Sequence, residues 1–202
     1  MSQDVLGRRP SPDLAEAAAL AAAAVAVARV VAAPPDVPAE VRDALRPGDD
    51  AESRRGAGLL EESSASAEPL TRLAADHRRL FVGGPGHRPV APPTAPAEAA
   101  PALRRLRAEV VAAGVALPET PMPDLAQALM TCAALLTTDA APPTEVERWY
   151  RELVDEHLLT WGARCLSRAQ LGAQTFFYQG TAVLGLALLR SAASVLPPSV
   201  RP

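Results

Sequence analysis

Apolar residues recur every three or four positions along most of the chain, which is the spacing of an amphipathic helix. No strand-like alternation of useful length and no internal repeat is visible. The pattern predicts a single all-α globular domain of about seven or eight helices, and not a simple four-helix bundle. We assign residues 1–11 to a flexible N-terminus, 12–196 to the helical domain and 197–202 to a C-terminal tail.

Proline and glycine mark where the predicted helices end. Residues 49–68 are mixed, with a helical stretch at 59–62 and a break at 63–66. Thr144 and Glu147 have the spacing of a capping box, which predicts the start of a long helix. The helices are predicted at about 12–33, 37–46, 69–82, 97–113, 123–137, 144–169 and 173–195.

The N-terminus superficially resembles a twin-arginine signal peptide, because Arg8 and Arg9 precede a run rich in alanine and valine. Glu16 and Arg29 place charges within that run, whereas the apolar region of a signal peptide avoids charge. Ser11 is suited to cap a helix beginning there. The pattern favours a buried first helix and a protein that stays in the cytoplasm, without stable membrane insertion.

Composition narrows the packing and the class of partner. The 202 residues are 49% hydrophobic but only 3% aromatic, so alanine, leucine and valine must build the core. Such small side chains favour closely packed helices. The net charge of −3 argues against a nucleic-acid partner, because phosphate binding needs a basic face. Cys132 and Cys165 are isolated in sequence, as expected of buried thiols in a reducing compartment.

Residues 76–89 join the end of a basic amphipathic helix to a loop of glycine, proline, histidine and arginine. Gly83 and the Pro85 that follows must end the helix, because proline cannot continue its hydrogen-bond ladder. Further prolines make the loop long but stiff. We expect Phe81 to be buried as an anchor, while His87 and Arg88 project from the loop.

That block also carries a family resemblance. It is similar to the central signature of TorD/DmsD-type chaperones, which mature molybdenum-containing oxidoreductases before export. The resemblance covers roughly residues 70–190 in unbroken order. The matching stretches are Arg79-Leu80-Phe81-Val82-Gly83, Pro85-Gly86-His87-Arg88-Pro89, Pro123-Asp124, His157-Leu158-Leu159-Thr160-Trp161 and Phe177-Tyr178.

The resemblance implies a TorD-like fold and a cytoplasmic chaperone, monomeric or homodimeric, that needs no cofactor. Its partners would be the catalytic subunit of a molybdopterin-dependent oxidoreductase and the signal peptide of that subunit. Two departures stand out: Leu125 replaces the family's histidine, and residues 92–95 read Pro-Pro-Thr-Ala instead of Pro-Tyr-Glu-Ser. They leave open an alternative, a helical scaffold or regulatory protein of the same fold that has lost signal-peptide binding.

The resemblance also suggests where the partner would bind. Asp124 matches the aspartate of the family's Pro-Asp-His motif, implicated in signal-peptide recognition, although a carboxylate in a first helical turn also stabilises the helix. His157 and Trp161 form either a core seam or a groove wall for a peptide, with Tyr178 among the aromatic residues of the same region. Arg79 and Arg88, with His87, form either a solvated basic edge or contacts to a client enzyme.

Motifs of catalysis are absent from the sequence. The glycines at 83–86 follow a helix and no Gly-Lys-Ser/Thr comes after them, so they do not match a phosphate-binding loop. His77, His87 and His157 lack the spacing of a metal site. We therefore predict a binding protein without a catalytic residue, metal site or cofactor.

Overall fold

The computed structural model describes residues 14–36, 38–45 and 49–195, and these ranges contain helices and no strand. The prediction of a single all-α domain is confirmed. The helices are α1 (Leu14–Ala32), α2 (Pro38–Ala44), α3 (Ala51–Ala65), α4 (Leu70–His77), α5 (Ala100–Ala112), α6 (Asp124–Thr137), α7 (Pro143–Glu152), α8 (Ala163–Gly172) and α9 (Phe176–Ser194).

Two π-helical segments continue these helices without a break. The segment π1 (Arg78–Val82) continues α4, and π2 (Leu153–Gly162) links α7 to α8. Counted as continuous rods, the described residues therefore form eight helices. In a π-helix the backbone bond spans five residues, which is rare and often marks a functional site.

Close packing of small residues explains how so few aromatic side chains build a core. The most extensive helix contacts join α1 to α6 and α3 to α9. A Cβ atom added at Gly180 would lie 2.8 Å from the Gly56 carbonyl oxygen, and one added at Gly56 would lie 2.7 Å from Leu184 Cγ. These glycines let α3 approach α9 more closely than alanine would allow.

The first helix packs its buried residues against the rest of the fold, mainly α6 and α9. By length and composition, α1 is also the one helix in the described ranges that could cross a membrane. Arg8, Arg9 and Ser11, on which the signal-peptide and capping arguments depended, lie outside the described residues.

Residues 49–68 are more regular than predicted. The helix α3 continues through Ser63 and ends at Ser66, so the predicted break at 63–66 is wrong. Ser63 is buried, and the Ser66 hydroxyl donates to the Glu62 carbonyl oxygen at 2.7 Å. The helix begins at Asp50, whose carboxylate accepts from the Glu52 and Ser53 backbone N–H groups. Burial of the serine face and this cap together override the low helix propensity of serine.

The predicted capping box at Thr144 does not form. The helix starts one residue earlier, at Pro143, after the N-cap residue Pro142, and no side chain caps it. Two successive prolines fix φ near the helical value and bring no N–H groups that need a partner. Glu147 instead bonds to Arg151, one turn further along the helix.

Other helix ends follow the local sequence as predicted. The α4–π1 rod covers 70–82, α6 starts directly after Pro123, and Gly114 follows α5 with a φ of +89°. These ends are specified by proline and glycine themselves, which explains why they could be predicted without knowing the packing.

Candidate functional site

The segment π1 holds both ends of the loop that follows it. The Gly83 N–H donates to the Arg78 carbonyl oxygen at 2.7 Å, which closes the last five-residue turn. The loop then returns, because Val90 N–H donates to the Arg79 carbonyl (3.2 Å) and Ala91 N–H to the Leu80 carbonyl (2.8 Å). The end of the rod therefore binds the returning loop through carbonyls that would otherwise need water.

The tip of this loop is a tight turn. Gly84 and His87 exchange backbone hydrogen bonds of 3.0 and 2.9 Å, and Gly86 has a φ of +75°. Pro85 followed by a residue with positive φ is the sequence of a type II turn. Gly83 also has a positive φ, and a Cβ atom there would lie 2.7 Å from the His87 carbonyl oxygen. Glycine is thus required at 83 for both backbone angle and space.

The predicted division between anchor and displayed residues is present in the structure. Phe81 is buried and meets the rings of His77 (5.4 Å) and Tyr178 (6.0 Å) in edge-to-face contacts. His87 and Arg88 are exposed, and the His87 Nδ1–H donates to the Pro85 carbonyl oxygen at 3.1 Å. The loop is therefore a stiff projection supported by an aromatic cluster.

Arg79 faces inward rather than toward a partner. Its Nη2 donates to the Asp76 carboxylate at 2.7 Å and to the Gly172 carbonyl oxygen. Asp76 is buried, and its other oxygen accepts from Gln174 N–H, Thr175 N–H and the Thr175 hydroxyl, all within 3.0 Å. This network ties the end of α4 to the loop between α8 and α9. Sequence reasoning missed Asp76, because its partners lie almost a hundred residues further along the chain.

Asp124 joins the segment that follows π1 to the start of α6. Its Oδ2 accepts from the Ala95 N–H at 2.8 Å, while the Leu125 N–H donates to the Pro93 carbonyl oxygen at 2.9 Å. Residues 92–95 are therefore hydrogen-bonded directly to Asp124 and Leu125. Asp124 is half-buried, so part of its carboxylate still faces the surface.

Arg107 is the cation beside this junction. Burial lowers the pKa of its guanidinium, and the charge of Asp124 acts in the opposite direction. The guanidinium binds the Gln127 side chain, whereas its Nε is buried with no hydrogen-bond partner. A partner arginine that approaches Asp124 would meet this neighbouring positive charge.

His157 and Trp161 lie in the core, on the inner face of π2. Their exposed fractions are 1% and 4%, and the Trp161 Nε1–H donates to His157 Nδ1 at 3.3 Å. Because the indole can only donate, the neutral imidazole carries its proton on Nε2, and that atom has no partner. Burial is also the main cause that lowers the pKa of His157.

Tyr178 is buried as well, and its hydroxyl has no hydrogen-bond partner. Burial raises the pKa of this hydroxyl. Together with His157 and Trp161, it belongs to the core and not to an open groove in this conformation. The seven candidate residues therefore do not form one site: His87 and Arg88 are displayed, Asp124 and Arg79 hold junctions, and three are buried.

An apolar cavity that sequence reasoning did not find lies on another side of the molecule. It measures about 540 Å³ and lies between α1, α2, α3 and α9. Leu20, Leu184 and Leu188 are among its apolar lining residues. A wide stripe of alanine on α1 was the available signal, since small residues leave space between helices.

The described residues contain neither a candidate metal site nor an exposed cysteine. No group of histidine, cysteine and acidic side chains there could hold a metal ion. Cys132 and Cys165 are free and buried, and burial raises the pKa of each thiol to about 12. Both therefore remain neutral thiols at physiological pH, which matches the predicted structural role.

Comparisons with models of protein families, with curated proteins and with solved structures found no match. The resemblance to TorD/DmsD-type chaperones therefore depends on the sequence motifs alone.

Proposed function

We propose that the protein is a cytoplasmic, TorD-like chaperone that binds an apo molybdopterin oxidoreductase, including its twin-arginine signal peptide. It would assist cofactor insertion before export by binding alone, without bond-making. The observation that carries this proposal is the contact between two of the motifs. The loop that displays His87 and Arg88 continues into residues hydrogen-bonded to Asp124 and Leu125. Two stretches that are about thirty residues apart in sequence are thus in direct contact, and this contact supports the proposal.

Asp124 is the candidate contact for a signal-peptide arginine. Its Oδ2 accepts from Ala95, which leaves Oδ1 for a charge-assisted bond to a guanidinium. The apolar part of the peptide needs an open apolar surface. None of the seven candidate residues lines the cavity between α1, α2, α3 and α9, so an extended peptide would have to reach beyond Asp124 to occupy it. A moderate affinity, with a Kd on the order of micromolar, would let the client leave once it has matured.

Titration calorimetry with a twin-arginine peptide and the Asp124→Asn variant tests this contact. Asparagine keeps an oxygen that can accept from Ala95, so the junction should survive while the charge is lost. We expect binding to weaken by about 1.5–3 kcal/mol, as for loss of a charged hydrogen bond. The matched control is Asp155→Asn, which removes an exposed carboxylate from π2 and should leave affinity unchanged.

A second peptide, with glutamine in place of both arginines, completes the test. Asp124→Asn should hardly affect its binding, because it offers no guanidinium. Equal losses for the two peptides would show that Asp124 acts only through the fold. Capture from the native host with mass spectrometry should, in addition, recover the catalytic subunit of a molybdopterin oxidoreductase.

A specific observation also favours the alternative, a helical scaffold or regulatory protein that has lost signal-peptide binding. Asp124 is already bound to Ala95, and the predicted groove wall of His157 and Trp161 is buried. Absence of measurable binding by both peptides would favour this alternative over the chaperone.

A further inference from the structure

Two long stretches of the chain contain no carboxylate. They are residues 77–97 and residues 157–202, so all 23 acidic residues lie elsewhere. Basic residues are present in both stretches, including Arg78, Arg88 and Arg168. The whole chain carries a net charge of −3, so the side chains of these two stretches are opposite in charge to the chain as a whole.

The fold brings the two acid-free stretches together. Arg79 donates to the Gly172 carbonyl oxygen, and the Cys165 thiol donates to the Ala91 carbonyl oxygen at 3.4 Å. A Cβ atom at Gly172 would lie only 2.6 Å from Val90 Cγ1. The projecting loop thus packs against α8, which brings the elements that carry Arg78, Arg88 and Arg168 together at one end of the molecule. Arg190 of the second stretch lies elsewhere and pairs with Glu52 of α3.

Three arginines at this end lack an ion-pair partner among the described residues, although the Glu68 carboxylate accepts from the Phe176 and Phe177 N–H groups at the start of α9. Arg78, Arg88 and Arg168 are exposed, and none forms an ion pair with another described residue. Arg168 lies on α8 three residues after Cys165, the residue whose thiol contacts the loop at Ala91. The nearby carboxylate of Asp76 is buried and bound to Arg79.

Large aliphatic side chains are exposed at the same end. Val82 is 64% exposed, Leu171 is 86% exposed and Val90 is 39% exposed. Val82 and Val90 flank the projecting loop, and Leu171 precedes the residue that Val90 contacts. Aliphatic side chains between cations fit an occupant that combines negative charge with apolar groups.

We propose that this basic face, defined by Arg78, Arg88, Arg168, Val82 and Leu171, docks an acidic polypeptide segment that carries apolar side chains. A polypeptide fits better than a nucleic acid, because these aliphatic groups cannot stack on bases, whereas they can pack against the apolar side chains of a peptide. The proposal shares Arg88 with the function proposed above, but it concerns a different ligand. That function requires a cationic peptide at Asp124, so the two can fail separately.

Fluorescence anisotropy with a short labelled peptide of leucine and glutamate tests the proposal on the full chain. The test variant combines Arg78→Glu, Arg88→Glu and Arg168→Glu, and its binding should be about tenfold weaker or more. The control variant reverses three other exposed arginines without ion pairs, namely Arg54→Glu, Arg55→Glu and Arg104→Glu. Its net charge changes equally, and its affinity should change by less than about twofold.

Leu171→Ser tests the apolar part, and Leu159→Ser, an exposed leucine on π2, is its control. Only the first should weaken the leucine–glutamate peptide, and circular dichroism should show an unchanged helical spectrum for every variant. Equal affinity for a leucine–glutamine peptide, equal losses in the two arginine triples, or no binding would overturn the proposal. Tighter binding of a single-stranded oligonucleotide that displaces the peptide would overturn it in favour of a nucleic-acid site.

Discussion

The two π-helical segments have the same backbone geometry but lie in different surroundings. The segment π1 ends a rod, and the carbonyls of Arg79 and Leu80 bind a loop that projects into solvent. The segment π2 lies within a continuous helix and buries His157 and Trp161. The motif resemblance assigned residues of both segments, and of the loop after π1, to partner binding. The structure exposes His87 and Arg88 in that loop and buries His157 and Trp161. A motif on a helix thus does not reveal which side the remaining helices will cover.

Loss of the aromatic anchor should have the largest effect on π1. Phe81→Ala removes a buried ring that contacts His77 and Tyr178, so the free energy of unfolding should fall by about 3–5 kcal/mol. Denaturant unfolding measures this change. His87→Ala, at the exposed tip of the same loop, should leave the midpoint nearly unchanged, and a reversal of the two effects would contradict the division into anchor and display.

A smaller loss is expected from the backbone of the loop itself. Gly83→Ala forces a side chain into a positive φ and against the His87 carbonyl, which should cost about 1–3 kcal/mol of unfolding free energy. The control is Gly84→Ala, because a Cβ atom there would meet nothing within 4 Å. Equal melting temperatures for the two variants would show that the loop tolerates rearrangement.

The smallest expected effect is on the pH dependence of stability, and it arises from the buried His157 of π2. Burial lowers the pKa of His157 below 6.5 in the folded protein. As the pH falls through 6.5, the unfolded chain therefore takes up a proton that the folded protein does not, and stability decreases. Each such group contributes a slope of at most about 1.4 kcal/mol per pH unit, until the pH reaches the folded pKa.

Unfolding measured from pH 7.5 downward checks this histidine effect. His157→Gln should flatten the pH dependence. Some dependence should remain in His157→Gln, because burial lowers the pKa of His77 as well. An unchanged slope in His157→Gln would mean that the histidine is reached by water in the folded protein.

Local chemistry explains which parts of the fold could be predicted. Pro123 and Gly114 fix helix ends through their own backbone limits, and both positions were predicted correctly. The continuation of α3 through Ser63 could not be predicted in this way, because burial against other helices outweighs propensity there. The π-helical geometry of 78–82 depends in part on Val90 and Ala91 returning to it, which is also a tertiary contact.

The residues of the candidate site also fall into two groups: those whose exposure follows from local sequence and those whose role depends on tertiary packing. Exposure of His87 and Arg88 could be predicted, since glycine and proline build the projecting turn locally. Whether a stripe holding His157 faces solvent or the core depends on how α5 and α6 pack over π2. The structural role of Asp76 depends on Thr175, and nothing in the neighbourhood of either residue in sequence connects them.

The exposed charges of Arg78, Arg88 and Arg168 also act before any contact is made, because their field extends into solution. A charged molecule approaching from solution is turned by this field, so the rate of encounter depends on ionic strength even where the bound state does not. At about 0.01 M salt the field reaches roughly 30 Å, and at 0.15 M it reaches only about 8 Å. Association rates of charged partners should therefore respond to salt more steeply than their dissociation rates.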